Sequence, residues 1–222
     1  MNEDRATLAV FDLDGTITRH DTLTPMVLGY LLRHPWRLPR LAGALPVLLR
    51  YALGQADRGA LKGAFLHAAL GGLSRQELDD WIGAWLPRLL RRGLLAEALE
   101  RIAWHRSRGH RLVLMSASVD FYVPRLGARL GFDETICSQV LYQGDGTLDG
   151  RLASTNCRGA EKRRQFGLLQ QRLQPARTYA YGNSAADLEH MRLASEAWYV
   201  NGPAAAASAT IRPVRWHRRG RL

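Results

Sequence analysis

The sequence predicts an α/β fold in which a mostly parallel sheet carries a small helical bundle inserted after the first strand. Three observations carry that expectation. Short apolar runs alternate with helical segments, as a parallel sheet with crossover helices requires. The stretch that follows the first run shows helical periodicity alone. Polar clusters, DLDGT, SAS and GNSAAD, stand at the ends of three of the runs, where open parallel sheets hold their ligands.

The first run is LAVF, continued by Asp12-Leu13-Asp14-Gly15-Thr16. An extended chain has a period of two, so Asp12 and Asp14 share a face while Leu13 points into the protein. Two converging carboxylates repel unless a cation neutralises them or one holds a proton. The stretch therefore suggests a hard-cation site, an acid/base pair or a polar turn.

Helical segments come next: PMVLGYLLR, LAGALPVLLRYAL, GALKGAFLHAAL and SRQELDDWIGAWLPRLL. Their apolar spacing is near 3.6 residues, and Ser74 with Glu77 fits a capping box. From LLAEALERIAWHRSRGH a helix leads into the strand RLVLMSAS, and VDFYVPRLGARLG is the helix after it. ETICSQVLY and GRLASTN flank a turn-rich QGDGTLDG and read as a hairpin. Then come the helix EKRRQFGLLQQRL, the strand RTYAYGNS, the helix AADLEHMRLA and the strand AWYVN. The expected division is a catalytic core of residues 1–18 and 96–222 around a helical cap of residues 19–95.

With 222 residues, 46% of them hydrophobic, the chain can bury a sizeable core. Its net charge of +11 favours an acidic partner: a phosphate ester, an anionic membrane or nucleic acid. No aromatic-rich nucleic-acid motif is present, which makes nucleic acid the least favoured of the three. Lys62 and Lys162 are the only lysines in a chain that otherwise uses arginine. Cys137 and Cys157 lack CxxC spacing and no secretory signal is visible, so reduced cytoplasmic thiols are expected. The region from Met26 to Gly54 is apolar but broken by arginines and prolines. It reads as a buried helical hairpin or as an interfacial segment giving peripheral contact with an anionic membrane. The ending PAAAASATIRPVRWHRRGRL reads as a flexible basic arm or a solvated terminus with Trp216 packed back. Oligomeric state is not legible.

A carboxylate pair, a hydroxyl with free backbone N–H groups, a lysine and a further acid are the parts needed for displacement on phosphorus. Asp12 is a competent nucleophile and Asp14 a proton carrier, and magnesium favours such oxygen ligands. Gly15 permits a sharp turn and Thr16 offers a hydroxyl close by.

FDLDGT, SAS, a lone lysine and GNSAAD, in this order, resemble the four motifs of the haloacid dehalogenase superfamily of phosphatases, which has a Rossmann-like core. The helical insertion resembles the phosphoserine-phosphatase-like branch. STNCRGAEK, RHDTL and the arginine-rich insertion are similar to a bacterial subgroup that includes phosphatidylglycerophosphatase C. The resemblance implies that Asp12 is nucleophile and Mg2+ ligand, and that Asp14 is acid/base and binds metal through its carbonyl. It further implies that Ser116, with backbone help around Ala117, and Lys162 hold the phosphoryl group, near Gly15 and Thr16. Asn183, where many relatives have an acid, and Asp187 complete the implied metal set. Asp21 stands where phosphoserine phosphatases carry a glutamate, shorter by one methylene. The substrates implied are a phosphorylated metabolite, such as phosphoserine or histidinol phosphate, or a lipid phosphate. Two alternatives stay open: a phosphotransferase, and a non-catalytic anion-binding module.

Overall fold

A computed structural model describes residues 7–203 and 208–217. Six parallel strands form the central sheet in the order β3-β2-β1-β6-β7-β8. They are β1 (Leu8–Phe11), β2 (Arg111–Val119), β3 (Glu134–Ser138), β6 (Thr178–Gly182), β7 (Glu196–Val200) and β8 (Ile211–Val214), with β4 (Val140–Tyr142) and β5 (Leu148–Leu152) forming a separate antiparallel pair.

All four residues of β1 are buried, because both faces of the sheet are covered. Ala9 and Phe11 belong to one apolar cluster with Ala98 and Ile102 of α5 (Ala96–Ser107) and Leu126 of α6 (Val123–Leu130). Leu8 and Val10 belong to a second, with Phe166 and Leu169 of α7 (Ala160–Leu173) and Met191 of α8 (Leu188–Met191). This is why central parallel strands read as unbroken apolar runs.

Between β1 and α5 lie α1 (Leu23–Arg33), a 3₁₀ segment (Pro35–Ala44), α2 (Leu45–Ala52), α3 (Arg58–Leu70) and α4 (Arg75–Arg92). Asp57 caps α3 by accepting from Ala60 N at 2.7 Å, and the Ser74/Glu77 capping box is present at α4. The two ends of this helical stretch run side by side: Leu95 N donates to Ile17 O at 2.9 Å and Arg19 N to Gly93 O at 2.8 Å. The β4–β5 pair packs on α3. Gly150, at φ +92°, is where they meet, since a Cβ there would lie 2.6 Å from His67 N.

Three expectations need correction. ETICSQVLY is not one strand of a hairpin. Its first half joins the central sheet beside β2, and only Val140–Tyr142 pairs with β5. Ser138 fixes the break, donating through Oγ to Ala117 O at 2.8 Å and accepting Asp120 N at 3.0 Å through its carbonyl. The helix expected over AADLEHMRLA shrinks to Leu188–Met191, because the Asp187 side chain takes the N–H groups of Asn183 and Ser184 and holds the preceding residues in a turn. The ending is neither arm nor solvated terminus as far as Trp216: Ile211–Val214 is the edge strand β8, while Trp216 packs back as expected and is buried against Tyr181. The alanine run 204–207 and residues 218–222 of the basic end lie outside the described residues.

Candidate active site

The carboxyl ends of β1, β2 and β6, with the first turn of the helix Ala160–Leu173, bring most of the expected residues to one cavity of about 810 Å³. Asp12 follows β1 and extends its ladder by donating its N–H to Tyr181 O at 2.9 Å. One carboxylate oxygen accepts Lys162 Nζ at 2.6 Å and the other accepts Thr16 Oγ1 at 2.9 Å. Lys162, in the first turn of α7, also donates to Asp187 Oδ1 at 2.7 Å. All three charged groups are buried.

One ammonium therefore serves two buried carboxylates. Burial pushes Asp12 up to about 7, against the pull of Lys162 and with the added repulsion of Asp187 and Asp14. Burial also presses on Asp187, but Lys162 overcomes it and holds the group well below the usual carboxylate range. The asymmetry has a geometric cause. Asp187 Oδ2 accepts Ser184 Oγ at 2.7 Å, Ser184 N at 3.0 Å and Asn183 N at 3.3 Å, whereas Asp12 has Thr16 alone besides the lysine. Burial likewise disfavours the Lys162 cation, and the two carboxylates more than restore it, raising its pKa.

Asp14 lines the same cavity, while Leu13 is fully buried in the core, as a period of two requires. Its Oδ1 accepts Thr22 N at 2.8 Å and Thr22 Oγ1 at 2.7 Å, and its Oδ2 accepts Ser118 Oγ at 2.7 Å. Burial raises its pKa, and the hydrogen bonds from Thr22 and Ser118 oppose this. Tyr122 Oη lies 2.7 Å from Thr22 Oγ1, so the carboxyl is held by a buried chain of hydroxyls.

Not every expected residue reaches the cavity. Ser116 is fully buried behind its wall, its Oγ accepting Ser118 N at 3.0 Å. The β2–β3 ladder shifts register between Ser116 and Val119, and Ala117 and Ser118 line the cavity instead. Thr16 acts on Asp12 from below. Gly15 has φ +82°, and a Cβ there would collide with the Asn183 side chain, so the glycine lets that amide approach the carboxylates. Asp21 is exposed, lines the cavity and accepts Thr24 N at 2.7 Å.

Several residues at the site have no role in the sequence reading: Lys62, Ser118, Asn156 and Arg158 line the cavity, and Thr22 and Tyr122 are buried behind it. Lys62 comes from α3 and donates to Ala117 O and, at 2.5 Å, to Asn156 Oδ1. Burial pushes its pKa down to about 8. Its one signal was rarity, since both lysines of this arginine-rich chain end at the same cavity.

Among the described residues no three His, Cys, Asp or Glu side chains cluster as a metal site. The available donors are the Asp12 and Asp187 carboxylates and the Asn183 amide, all lining the cavity. They offer oxygen, and two buried carboxylates share one lysine, which leaves negative charge for a hard cation to balance. The donor chemistry therefore fits Mg2+.

Residues 9–192 match the family of haloacid dehalogenase-like hydrolases. The chain belongs to that family. It is 31% identical over 207 residues to Protein CicA of Caulobacter vibrioides (strain NA1000 / CB15N), covering 86% of this chain and 85% of that protein. Its fold is similar to a protein of unknown function from Bordetella pertussis Tohama I, with a TM-score of 0.74, 21% identity and coverage of 90% and 92%. It is also similar to a phosphoserine phosphatase solved as an analogue of its phospho-aspartyl intermediate, with a TM-score of 0.64, 15% identity and coverage of 92% and 90%. No helix among the described residues is long and apolar enough to cross a membrane.

Proposed function

We propose that this hydrolase is a Mg2+-dependent phosphomonoesterase that works through an aspartyl phosphate on Asp12. The observation that carries the reading is the buried Asp12–Lys162–Asp187 triad, with Asp14 on the same cavity wall. Each Asp12 oxygen holds one donor and keeps a lone pair, so the carboxylate can attack phosphorus in line. The P–O ester bond breaks as the new P–O bond forms, and Asp14 gives its proton to the departing alkoxide. Asp14 then takes a proton from water, which attacks the aspartyl phosphate and releases inorganic phosphate.

Asp12, Asp187 and Asn183, with the Asp14 carbonyl, would hold Mg2+. When bound, the cation neutralises the carboxylates and the phosphoryl oxygens. Lys162 carries the remaining charge between nucleophile and phosphoryl group. The backbone around Ala117 and the Ser118 hydroxyl take the place nearest the phosphoryl, with Ser116 ordering them from behind. We read residues 19–95 as a cap over the core, supported by the paired strand crossings at Ile17–Arg19 and Gly93–Leu95.

The cavity wall favours a lipid phosphate over a small metabolite such as phosphoserine or histidinol phosphate. Leu41, Leu45, Leu48, Leu61 and Phe65 line it, and an apolar wall binds an acyl chain better than an amino acid. This agrees with the phosphatidylglycerophosphatase C-like subgroup. The unpaired thiols Cys137 and Cys157 suit a cytoplasmic location.

Phosphate release from a panel of soluble and lipid esters, with and without Mg2+, tests the reading. Wild type is expected to turn over at least one ester, and Asp12→Asn to fall by about 1,000-fold or more. Release from no ester by the wild type would overturn it. Activity confined to soluble esters would remove the lipid substrate and leave the mechanism standing.

A further inference from the structure

The helical stretch Pro35–Ala52, made of the 3₁₀ segment and α2, contains no buried residue. This is unusual for a segment so rich in leucine, because a globular helix normally hides an apolar stripe. Here the stripe faces outward. Leu45, Leu49 and Leu53 recur every fourth residue and are exposed, Leu49 at 61% and Leu53 at 62%. Trp36, at 69%, and Leu32, at 79%, are exposed as well, in the chain just before it.

The charge of the same segment is one-sided. Arg33, Arg37, Arg40 and Arg50 punctuate it, and no aspartate or glutamate occurs between Asp21 and Asp57. Three of these guanidiniums bond neutral carbonyls rather than carboxylates: Arg37 reaches Ala69 O and Gly71 O, Arg40 reaches Gly71 O, and Arg50 reaches Gln55 O. Arg37 also lies in the field of the Glu77 carboxylate, while the charge of Arg40 and Arg50 is left for an external anion. Exposed leucines and a tryptophan beside unneutralised arginines match the headgroup boundary of an anionic bilayer, where the rings and leucines enter and the guanidiniums meet phosphate.

The segment's inner residues point the other way. Leu41, Leu48 and Tyr51 line the cavity that ends at Asp12 and Lys162, and Leu45 stands at its rim. One stretch of chain thus joins the exposed apolar face to the apolar wall of the candidate active site.

We propose that the 32–53 face docks on an anionic phospholipid surface and sets the cavity mouth against the headgroups. Docking itself does not depend on the phosphatase reading. Delivery of a lipid phosphate to Asp12 does rest on it, and the two are separable because docking needs no turnover.

The test is co-sedimentation of the full chain with vesicles of phosphatidylcholine alone or mixed with phosphatidylglycerol. Binding is expected to be roughly tenfold or more tighter to the mixed vesicles. It should weaken at ~1 M salt, where the screening length falls to ~3 Å. The double variant Leu49→Ser/Leu53→Ser should lose about tenfold in partition, and its unchanged circular dichroism would show it folded, as residues without cover allow. Tryptophan emission should shift to the blue on mixed vesicles, and Trp36→Phe should remove part of that shift. Asp12→Asn should bind vesicles as wild type does even when phosphate release is lost, which keeps failure of docking distinct from failure of the chemistry. Equal binding to both vesicle types, or none, would overturn the proposal. So would a soluble dimer that Leu49→Glu converts to monomer without any vesicle binding, since the face would then be covered by a second copy.

Discussion

Lys162 stands between two carboxylates at 2.6 and 2.7 Å with almost no exposed surface. That geometry suits a compact ammonium and leaves no room for a planar guanidinium. Lys162→Arg is expected to reduce phosphate release by about 100-fold or more, read as a fall in kcat, although the charge is conserved. Lys162→Met leaves two buried carboxylates without their cation and should cost about 3–5 kcal/mol of stability, measured by urea unfolding. Asp12, Asp14 and Asp187 are legible because each sits in a short motif at the end of an apolar run, and Lys162 because it is one of two lysines in the chain and falls between SAS and GNSAAD. Lys62 and Thr22 are not, since what gives them meaning is an acceptor distant in sequence: Ala117 O and Asn156 for Lys62, the Asp14 carboxylate and Tyr122 for Thr22. A period of two does not distinguish Ser118 from Ser116, and the register shift in the β2–β3 ladder does.

Among the elements, the β4–β5 pair meets α3 through a close backbone approach. Gly150 combines φ +92° with a virtual Cβ contact of 2.6 Å to backbone, so neither side can yield. Gly150→Ala should destabilise the fold by ~2 kcal/mol or more, a fall of ~4–8 °C in Tm. Gly144, in the turn of the same pair, has nothing within 4 Å and no positive φ, so Gly144→Ala should leave Tm nearly unchanged. Calorimetry on the two variants checks the contrast. Element type was readable where the chain's own pattern decides it. The apolar runs of β1, β2, β6 and β7 could only be central strands, and Ser74 with Glu77 marks the start of α4 unaided. Elements decided by a partner were not readable. ETICSQVLY is uniformly extended in pattern, and what divides it is Ser138 binding Ala117 and Asp120. IRPV becomes a strand only because β7 offers an open edge.

At the scale of the whole molecule, the site gathers Asp12, Asp14, Asp21 and Asp187 beside Arg58, Lys62, Arg158 and Lys162 in a chain of net charge +11. Asp12 is held at about 7 against an ordinary value of 3.8. A carboxyl whose pKa is raised by folding binds its proton more tightly in the folded state. Asp12 therefore contributes stability that is lost as pH rises from about 3.8 to about 7, since there its folded carboxyl holds the extra proton. A hard cation reverses this contribution because it binds the deprotonated carboxylate and competes with the proton. Stabilisation by Mg2+ should be small near about pH 5 and grow through neutrality. At a hundredfold excess over Kd it should approach about 2.7 kcal/mol, or ~5–10 °C in Tm. Thermal melts with Mg2+ and with chelator across this range check the sign. In Asp12→Asn the stabilisation should be weaker and lose its rise with pH, because the amide has no proton to give up. A Mg2+ effect of constant size from acid to alkaline pH in the wild type would show that Asp12 does not ligate the cation, and would move the metal to Asp187 and Asn183 alone.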